Sequence, residues 1–86
     1  MARTVLGCTP RQRAVLSGRV RAVVSRRHPA PSFEAELADG TGVIVLRFLG
    51  RDLVPGIAVG SWMRVEGTVV AIRGRRVLLN PLYEQC

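Results

Sequence analysis

Arginine is the residue type of this chain best suited to binding a charged partner. All thirteen basic residues are arginine, against six acidic ones, and the formal charge is +7. Five arginines fall in two short clusters, Arg26-Arg27-His28 and Arg73-Gly74-Arg75-Arg76. Guanidinium groups form bidentate phosphate contacts and stack on bases, so this excess favours a polyanion, nucleic acid before an anionic membrane surface. A GC-rich genome also enriches a chain in Arg, Ala, Val and Gly, and that explanation stays open.

Other reactive residue types are few and scattered. His28 is the only histidine, and Cys8 and Cys86 lie near the two ends of the chain. No second thiol or histidine stands at metal-ligand spacing, and no nucleophile has an identifiable base. We therefore expect no enzymatic activity, metal or cofactor, and two free thiols in a reducing cytoplasm.

The sequence gives no sign of targeting to a membrane. Residues 5–8 superficially match a lipoprotein cleavage box, but the residues before them are too few for the apolar core of a signal peptide. Residues 53–63 form an uncharged stretch that contains Pro55, Gly56 and Gly60. That stretch falls short of the about 18 apolar residues that predict a membrane span. We expect a cytoplasmic protein.

These arginines must be positioned by a single small domain. The 86 residues allow one modest core, and the hydrophobic content is 48%. Residues 1–13 show no sustained period and are predicted to form an N-terminal arm that pairs locally or stays mobile. Residues 14–86 are predicted to form the folded domain.

Residues 32–50 predict a β-hairpin at the centre of this domain. Two runs of alternating apolar residues flank Asp39-Gly40-Thr41-Gly42, whose glycines can take the positive φ angles that tight turns need. Phe33 and Phe48 fall on the inward face and are predicted to lie in the core.

Residues 14–25 predict a long first strand. Gly18 in its middle indicates a bend or bulge that lets one strand serve both ends of a curved barrel. Alternation places one set of residues inward, Leu16, Gly18, Val20, Ala22 and Val24, and another outward, Arg19, Arg21 and Val23.

Two more strands complete the pattern. Residues 61–72 alternate and predict a fourth strand, and residues 77–84 predict a fifth that is interrupted at Asn80-Pro81. Between the hairpin and the fourth strand, Pro55 and Gly56 limit any helix to about a turn or two.

The order of these landmarks resembles the OB-fold nucleic-acid-binding family. Anticodon-binding-type OB domains, including the wedge domain of RecG-type helicases, show similar G-x-V, DGTG, V-x-G and N/H-P-x-Y landmarks. They are matched here by Gly18-Arg19-Val20, residues 39–42, Val65-Glu66-Gly67 and residues 80–83. The chain is also similar to small free-standing actinobacterial OB-fold proteins. The resemblance covers residues 11–84 and implies an all-β, five-stranded OB-fold Greek-key barrel.

The resemblance implies a position for the arginine clusters. An OB barrel binds oligonucleotides across strands 2 and 3, between the loop joining strands 1 and 2 and the loop joining strands 4 and 5. Solvated turns are often charged, which is the competing explanation. We expect a module that binds single-stranded or branched nucleic acid, DNA before RNA, with little sequence selectivity. The loops supply six predicted nucleic-acid-binding residues, Arg26, Arg27, His28, Arg73, Arg75 and Arg76.

Outward residues of the strands extend this predicted interface. Glu34 and Glu36 share the face of the strand arginines, so cross-strand ion pairs explain those arginines equally well. Trp62 can stack a base, although a lone Trp at a strand start more often packs on a terminal arm, here near Val5 and Leu6. The predicted strand residues of the site are Arg19, Arg21, Arg47, Trp62 and Arg64.

A protein-interaction or homo-oligomerisation module is the alternative function. OB barrels also bind partner proteins through sheet edges and apolar outer patches. Five apolar residues at predicted outward positions are suited to such an interface: Val23, Val43, Val45, Leu49 and Val70.

Overall fold

The period-two segments of the sequence form six strands. The computed structural model describes residues 2–86; Met1, the first residue of the predicted arm, lies outside the described residues. The strands are β1 (Arg13–Arg26), β2 (Ser32–Ala38), β3 (Val43–Leu49), β4 (Trp62–Ile72), β5 (Arg75–Leu79) and β6 (Leu82–Gln85).

The strands close into a barrel because β4 pairs with both β5 and β1. The order around the barrel is β1-β2-β3-β5-β4, and only the β3–β5 pair is parallel. β6 pairs with the first half of β4, so β5 and β6 are the two parts of the predicted fifth strand, separated at Asn80 and Pro81. The predicted all-β barrel is confirmed, and within the described residues the connector between β3 and β4 contains turns and no helix.

β1 crosses from one side of the barrel to the other at Arg19. It pairs with β4 up to Arg19 and with β2 from Arg19 onward. Gly18 is needed at this crossing, because a Cβ there would lie 2.4 Å from the carbonyl oxygen of Ala38. The β-bulge itself lies between Val20 and Ala22.

The bulge changes which residues of β1 face outward. A single extra residue shifts the alternation of a strand by one position. Val24 lies opposite Glu34 and is 43% exposed, so its predicted inward position is wrong. Val23, predicted outward, is 38% exposed, although its partner in the register is the buried Ala35.

The core combines inward side chains of the barrel with residues from both of its ends. Phe33 and Phe48 are buried, which confirms their predicted position, and Tyr83 packs edge-on against Phe48 with ring centroids 5.5 Å apart. Val54 and Ile57 of the connector also join the core.

The N-terminal arm closes the barrel beside the hairpin turn. Ala2 forms a bridge to Ala14, and Val5 is fully buried. The backbone N–H of Val5 donates a hydrogen bond to Oδ2 of Asp39 (2.8 Å). Burying a valine side chain stabilises a fold by about 1.5–3 kcal/mol, so the arm contributes to stability.

Asp39 organises the turn against which this arm packs. Its Oδ1 accepts hydrogen bonds from the backbone N–H and hydroxyl of Thr41 and from the N–H of Gly42. Burial raises the pKa of Asp39, but the hydrogen bonds from Thr41, Val5 and Gly42 outweigh burial and leave that pKa below its usual value. Gly40 takes a positive φ of 88°, whereas Gly42 makes room for Val5, whose Cγ1 would lie 3.0 Å from an added Cβ.

Candidate nucleic-acid interface

The outer face of the β2–β3 hairpin lies between the two arginine clusters of the sequence, residues 26–28 and residues 73–76. The segment that joins β1 to β2 lies beside the start of β2 and the end of β3. The β4–β5 turn lies beside the opposite end of β3, because β5 runs parallel to β3 with Val45 opposite Val77. Seven residues of β3 at about 3.3 Å each separate the two ends by about 20 Å.

The middle of this face is an ion-paired network. Arg21 Nε lies 2.8 Å from Glu36 Oε1, and Arg75 Nη2 lies 3.2 Å from Glu36 Oε2. On the neighbouring row, Arg47 Nε lies 2.8 Å from Glu34 Oε2. We call these five residues the central network. Cross-strand ion pairs, which the sequence offered as an alternative to phosphate binding, are present for Arg21 and Arg47, whereas Arg19 has none among the described residues.

Two buried valines are neighbours of the central network in the sheet. Val45, between Glu36 and Val77 in the sheet, is only 2% exposed, and Val77 is buried too. The hydrogen bond from Arg21 lowers the pKa of Glu36; burial opposes this shift, and Arg75 adds to it. Both arginines thus favour the ionised carboxylate, as a structural ion pair requires.

One end of the hairpin face is held in place by Asp52. Arg27 Nε lies 2.8 Å from Asp52 Oδ2, and the Ser25 hydroxyl donates to the Asp52 carbonyl oxygen. Three neighbouring basic side chains remain exposed and make no ion pair within residues 2–86: Arg26, His28 and Arg51. We call Arg26, Arg27, His28 and Arg51 the loop end.

The opposite end carries a second set of arginines. Arg73 forms the β4–β5 turn with a positive φ of 52°, and Arg76 follows in β5 opposite Ala71. The N–H of Arg11 donates to the carbonyl oxygen of Val69, which places Arg11 on the other side of β4 at the same end. None of these three arginines makes an ion pair with a described residue. We call Arg11, Arg73 and Arg76 the turn end.

Arg75 and Arg76 were predicted in the turn, but both belong to β5. Their side chains point to opposite faces because they are adjacent in a strand. Arg75 therefore reaches Glu36, whereas Arg76 lies near the buried Cys8.

Trp62 does not pack on the N-terminal arm, so that prediction is wrong. Trp62 is 58% exposed and Leu6 is 67% exposed, whereas Val5 is bound at the hairpin turn. The arm is held there because Asp39 accepts the Val5 N–H. Arg19 lies above the Trp62 ring instead, with Cζ 6.0 Å from the ring centroid.

Arg64, the remaining predicted residue, lies away from the hairpin. It projects from β4 and forms an ion pair with Glu84 of the neighbouring strand β6, with Nη1 3.2 Å from Oε1. Like the rest of the predicted site, its role in binding stays a prediction.

The sequence did not predict that Arg11, Arg51 and Asp52 lie at the two ends of the hairpin face. Arg11 was assigned to the arm, and Arg51 and Asp52 to the connector, because no periodicity marks irregular segments. The one available signal was Gly50, which ends β3 with a positive φ of 86° and brings both connector residues back toward the β1–β2 segment.

The described residues offer little other chemistry. No three His, Cys, Asp or Glu side chains in residues 2–86 are grouped to hold a metal ion. Over the same range no helix has the length and apolar character needed to cross a membrane. Cys8 and Cys86 are both free thiols, as predicted, and burial raises the pKa of Cys8.

Known structures share the barrel. No protein-family model matches the chain, and no curated protein matches it significantly. A replication protein A heterotrimer bound to single-stranded DNA matches with a TM-score of 0.69 and 21% identity, over 86% of this chain and 57% of that chain. The replication factor A-related protein from Methanobacterium thermoautotrophicum matches with a TM-score of 0.71 and 15% identity, over 100% of this chain and 91% of that chain.

The strand order and these matches define the chain as an OB-fold protein. At 21% and 15% identity the likeness establishes the fold. The chain spans little more than half the length of the replication protein A chain. The resemblance to anticodon-binding-type and RecG-type domains remains a prediction.

Proposed function

We propose that this OB barrel binds nucleic acid through the two ends of its hairpin face. One observation carries the proposal. Within residues 2–86, six of the thirteen arginines form ion pairs, and five of the other seven lie at the loop end or the turn end. These five are Arg11, Arg26, Arg51, Arg73 and Arg76.

The charge distribution supports a strand held mainly by its phosphates. Four of these arginines are exposed and Arg76 is half-buried. Unpaired guanidinium groups can contact phosphate without first breaking an ion pair. In the central network, Glu34 and Glu36 repel a phosphate backbone, and no aromatic side chain offers a surface for stacking. A strand bound in this way is recognised with little sequence selectivity, because phosphate contacts carry no base information.

The ligand class is single-stranded or branched DNA, bound without catalysis. The replication protein A heterotrimer with the same fold was solved with single-stranded DNA bound. That similarity supports DNA before RNA as the partner of this chain. The spacing of about 20 Å between the ends falls within the reach of the about 4–16 nucleotides that one OB fold occupies.

Fluorescence anisotropy across a salt series tests the proposal. A labelled single-stranded 12-mer is titrated with the protein at low salt, with DNA and RNA versions in parallel and a branched DNA in a third arm. We expect binding that weakens steeply with salt, by about 0.7 in log-log slope for each phosphate contacted. An unchanged anisotropy at low salt for all three probes overturns the proposal.

The protein-interaction alternative loses part of its predicted surface. Val45 is 2% exposed, so it cannot contribute to such a surface. Leu49 remains 54% exposed at the end of β3. Sedimentation of the purified chain separates the two functions: a monomer that binds DNA supports the nucleic-acid proposal, and a dimer that binds none of the probes favours the alternative.

A further inference from the structure

A second basic surface lies on the wall formed by the first part of β1 and β4. Ser17 is opposite Arg64 in this pairing, and the next row places Arg19 opposite Trp62. Beside the first of these rows is an open groove of about 360 Å³, lined by Arg3, Val15, Ser17 and Arg64. The groove and the Trp62 ring are therefore contiguous on one outer surface.

The charges of this wall leave it net positive. Both carboxylates near the groove are matched by arginines: Glu66 by Arg13 at 2.8 Å, and Glu84 by Arg64 at 3.2 Å. The Arg64–Glu84 pair is highly exposed, and such pairs are weak and readily exchanged. Arg3 makes no ion pair within the described range, so it is available to an incoming anion.

Trp62 adds a surface of a different kind. Its side chain is 58% exposed even though the Arg19 guanidinium lies above the ring, with Cζ 6.0 Å from the ring centroid. An exposed aromatic ring stacks any base, because every base has a π-face. A nucleotide consists of a phosphate, a sugar and a base. This wall offers a basic groove suited to the phosphate and, one row away, an exposed ring suited to the base.

We propose that this wall binds a second segment of nucleic acid. A base stacks on Trp62, and the phosphate next to it lies between Arg3 and Arg64, where the Ser17 hydroxyl can donate a hydrogen bond. The inference rests on the proposed function for the nature of the ligand but uses a surface separate from the hairpin face. One barrel would then hold two segments of a branched or folded strand.

Trp62 is the only tryptophan of the chain, so its emission reports on this wall alone. The experiment titrates unlabelled single-stranded dT12 into the protein at low salt and records tryptophan fluorescence, with anisotropy of labelled dT12 recorded in parallel. We expect saturable quenching. The Arg3→Ala/Arg64→Ala variant should shift half-saturation of the quenching about fivefold upward and reduce its salt slope. Arg13→Ala is the control on the same wall, because Arg13 projects from β1 but does not line the groove.

The outcomes separate the two proposals. Anisotropy that rises while tryptophan emission stays constant overturns the second surface and leaves the proposed function intact. Quenching that persists in an Arg26→Ala/Arg73→Ala variant supports the second surface as independent of the hairpin ends. An Arg3→Ala/Arg64→Ala titration identical to that of Arg13→Ala overturns the phosphate assignment. Equal quenching by thymidine monophosphate, mole for mole, overturns the assignment to a strand. Unchanged circular dichroism confirms that each variant is folded.

Discussion

The middle and the ends of the hairpin face use arginine in opposite ways. In the middle, Arg21 and Arg47 each bond a glutamate at 2.8 Å. At the ends, Arg26 and Arg73 make no ion pair with any described residue. The same residue type is held in ion pairs in one region and is unpaired among the described residues in the other, so charge count alone does not locate a binding surface.

Burial strengthens this difference for one pair of the middle, whereas Arg21 and Arg75 are 59% and 53% exposed and differ from the ends by their bonds to Glu36 alone. The side chains of Arg47 and Glu34 are 26% and 17% exposed, so opening that pair would leave two partly desolvated charges. At the ends, Arg11, Arg26, Arg51 and Arg73 are exposed and make no ion pair with a described residue, so a phosphate can contact them without opening one. We infer that a bound strand contacts the ends first and crosses the middle with few contacts.

Removing one arginine from each end should have the largest effect. In an Arg26→Ala/Arg73→Ala variant, we expect the affinity for single-stranded DNA at low salt to fall about 50-fold, because two phosphate contacts and their counterion release are lost. Anisotropy titrations measure the change. An Arg13→Ala/Arg21→Ala variant removes the same charge from ion-paired positions and should stay within about threefold of the parent. Equal losses in both variants would show that net charge, not position, determines binding.

Arg47→Ala should change stability rather than binding. It leaves Glu34 partly buried without its partner, which we expect to lower the free energy of unfolding by about 1–2 kcal/mol. Urea denaturation measures this loss, and anisotropy should detect little change in affinity. Arg26→Ala is the matched control: it should lower the affinity for DNA and leave the free energy of unfolding nearly unchanged. A strong binding defect in a stable Arg47→Ala protein would place the strand across the middle.

Glu36→Gln should tighten binding. The substitution removes a carboxylate from the middle of the face and releases the charges of Arg21 and Arg75. We expect an affinity about threefold higher at low salt, with a steeper salt slope. Glu84→Gln removes a carboxylate outside the hairpin face and serves as the control. Weaker binding by Glu36→Gln would mean that the network itself positions the ligand.

The pH dependence of stability should show the smallest effect. The folded-state pKa of Glu36 is lowered, chiefly by the hydrogen bond from Arg21. Its contribution is therefore fully present above the ordinary pKa of a glutamate and is lost as the pH falls through the lowered folded-state pKa. Urea denaturation from pH 6 to pH 2 should show a smaller acid loss in Glu36→Gln than in the parent. Identical pH profiles in the two proteins would show that the Arg21–Glu36 bond does not stabilise the fold in solution.

The barrel could be predicted from local patterns. Period-two alternation identified the hairpin and the strands, and the Asp39–Gly42 turn and Asn80-Pro81 marked where they end. The faces of β1 could not be assigned beyond Arg21, because one bulged residue inverts the alternation and leaves no trace in composition.

The sequence predicted which arginines belong to the candidate site. It did not predict which of them form ion pairs and which do not. Alternation put Arg21 and Arg47 on a face with Glu34 and Glu36, which made ion pairs as good an explanation as binding. Only the tertiary structure shows that Asp52 holds Arg27 and that Arg51 and Arg11 join the ends. The position of Trp62 depended on the path of the arm, which Asp39 sets from a distant part of the chain.

The most direct test of the account is an NMR titration that reads the arginine Nε–H resonances of the folded chain as single-stranded dT12 is added at low salt. The account predicts large shifts for Arg26, Arg51, Arg73 and Arg76 and small ones for Arg21 and Arg47, whose Nε–H groups already bond glutamates. Large shifts confined to Arg21 and Arg47, with the ends unchanged, would contradict it.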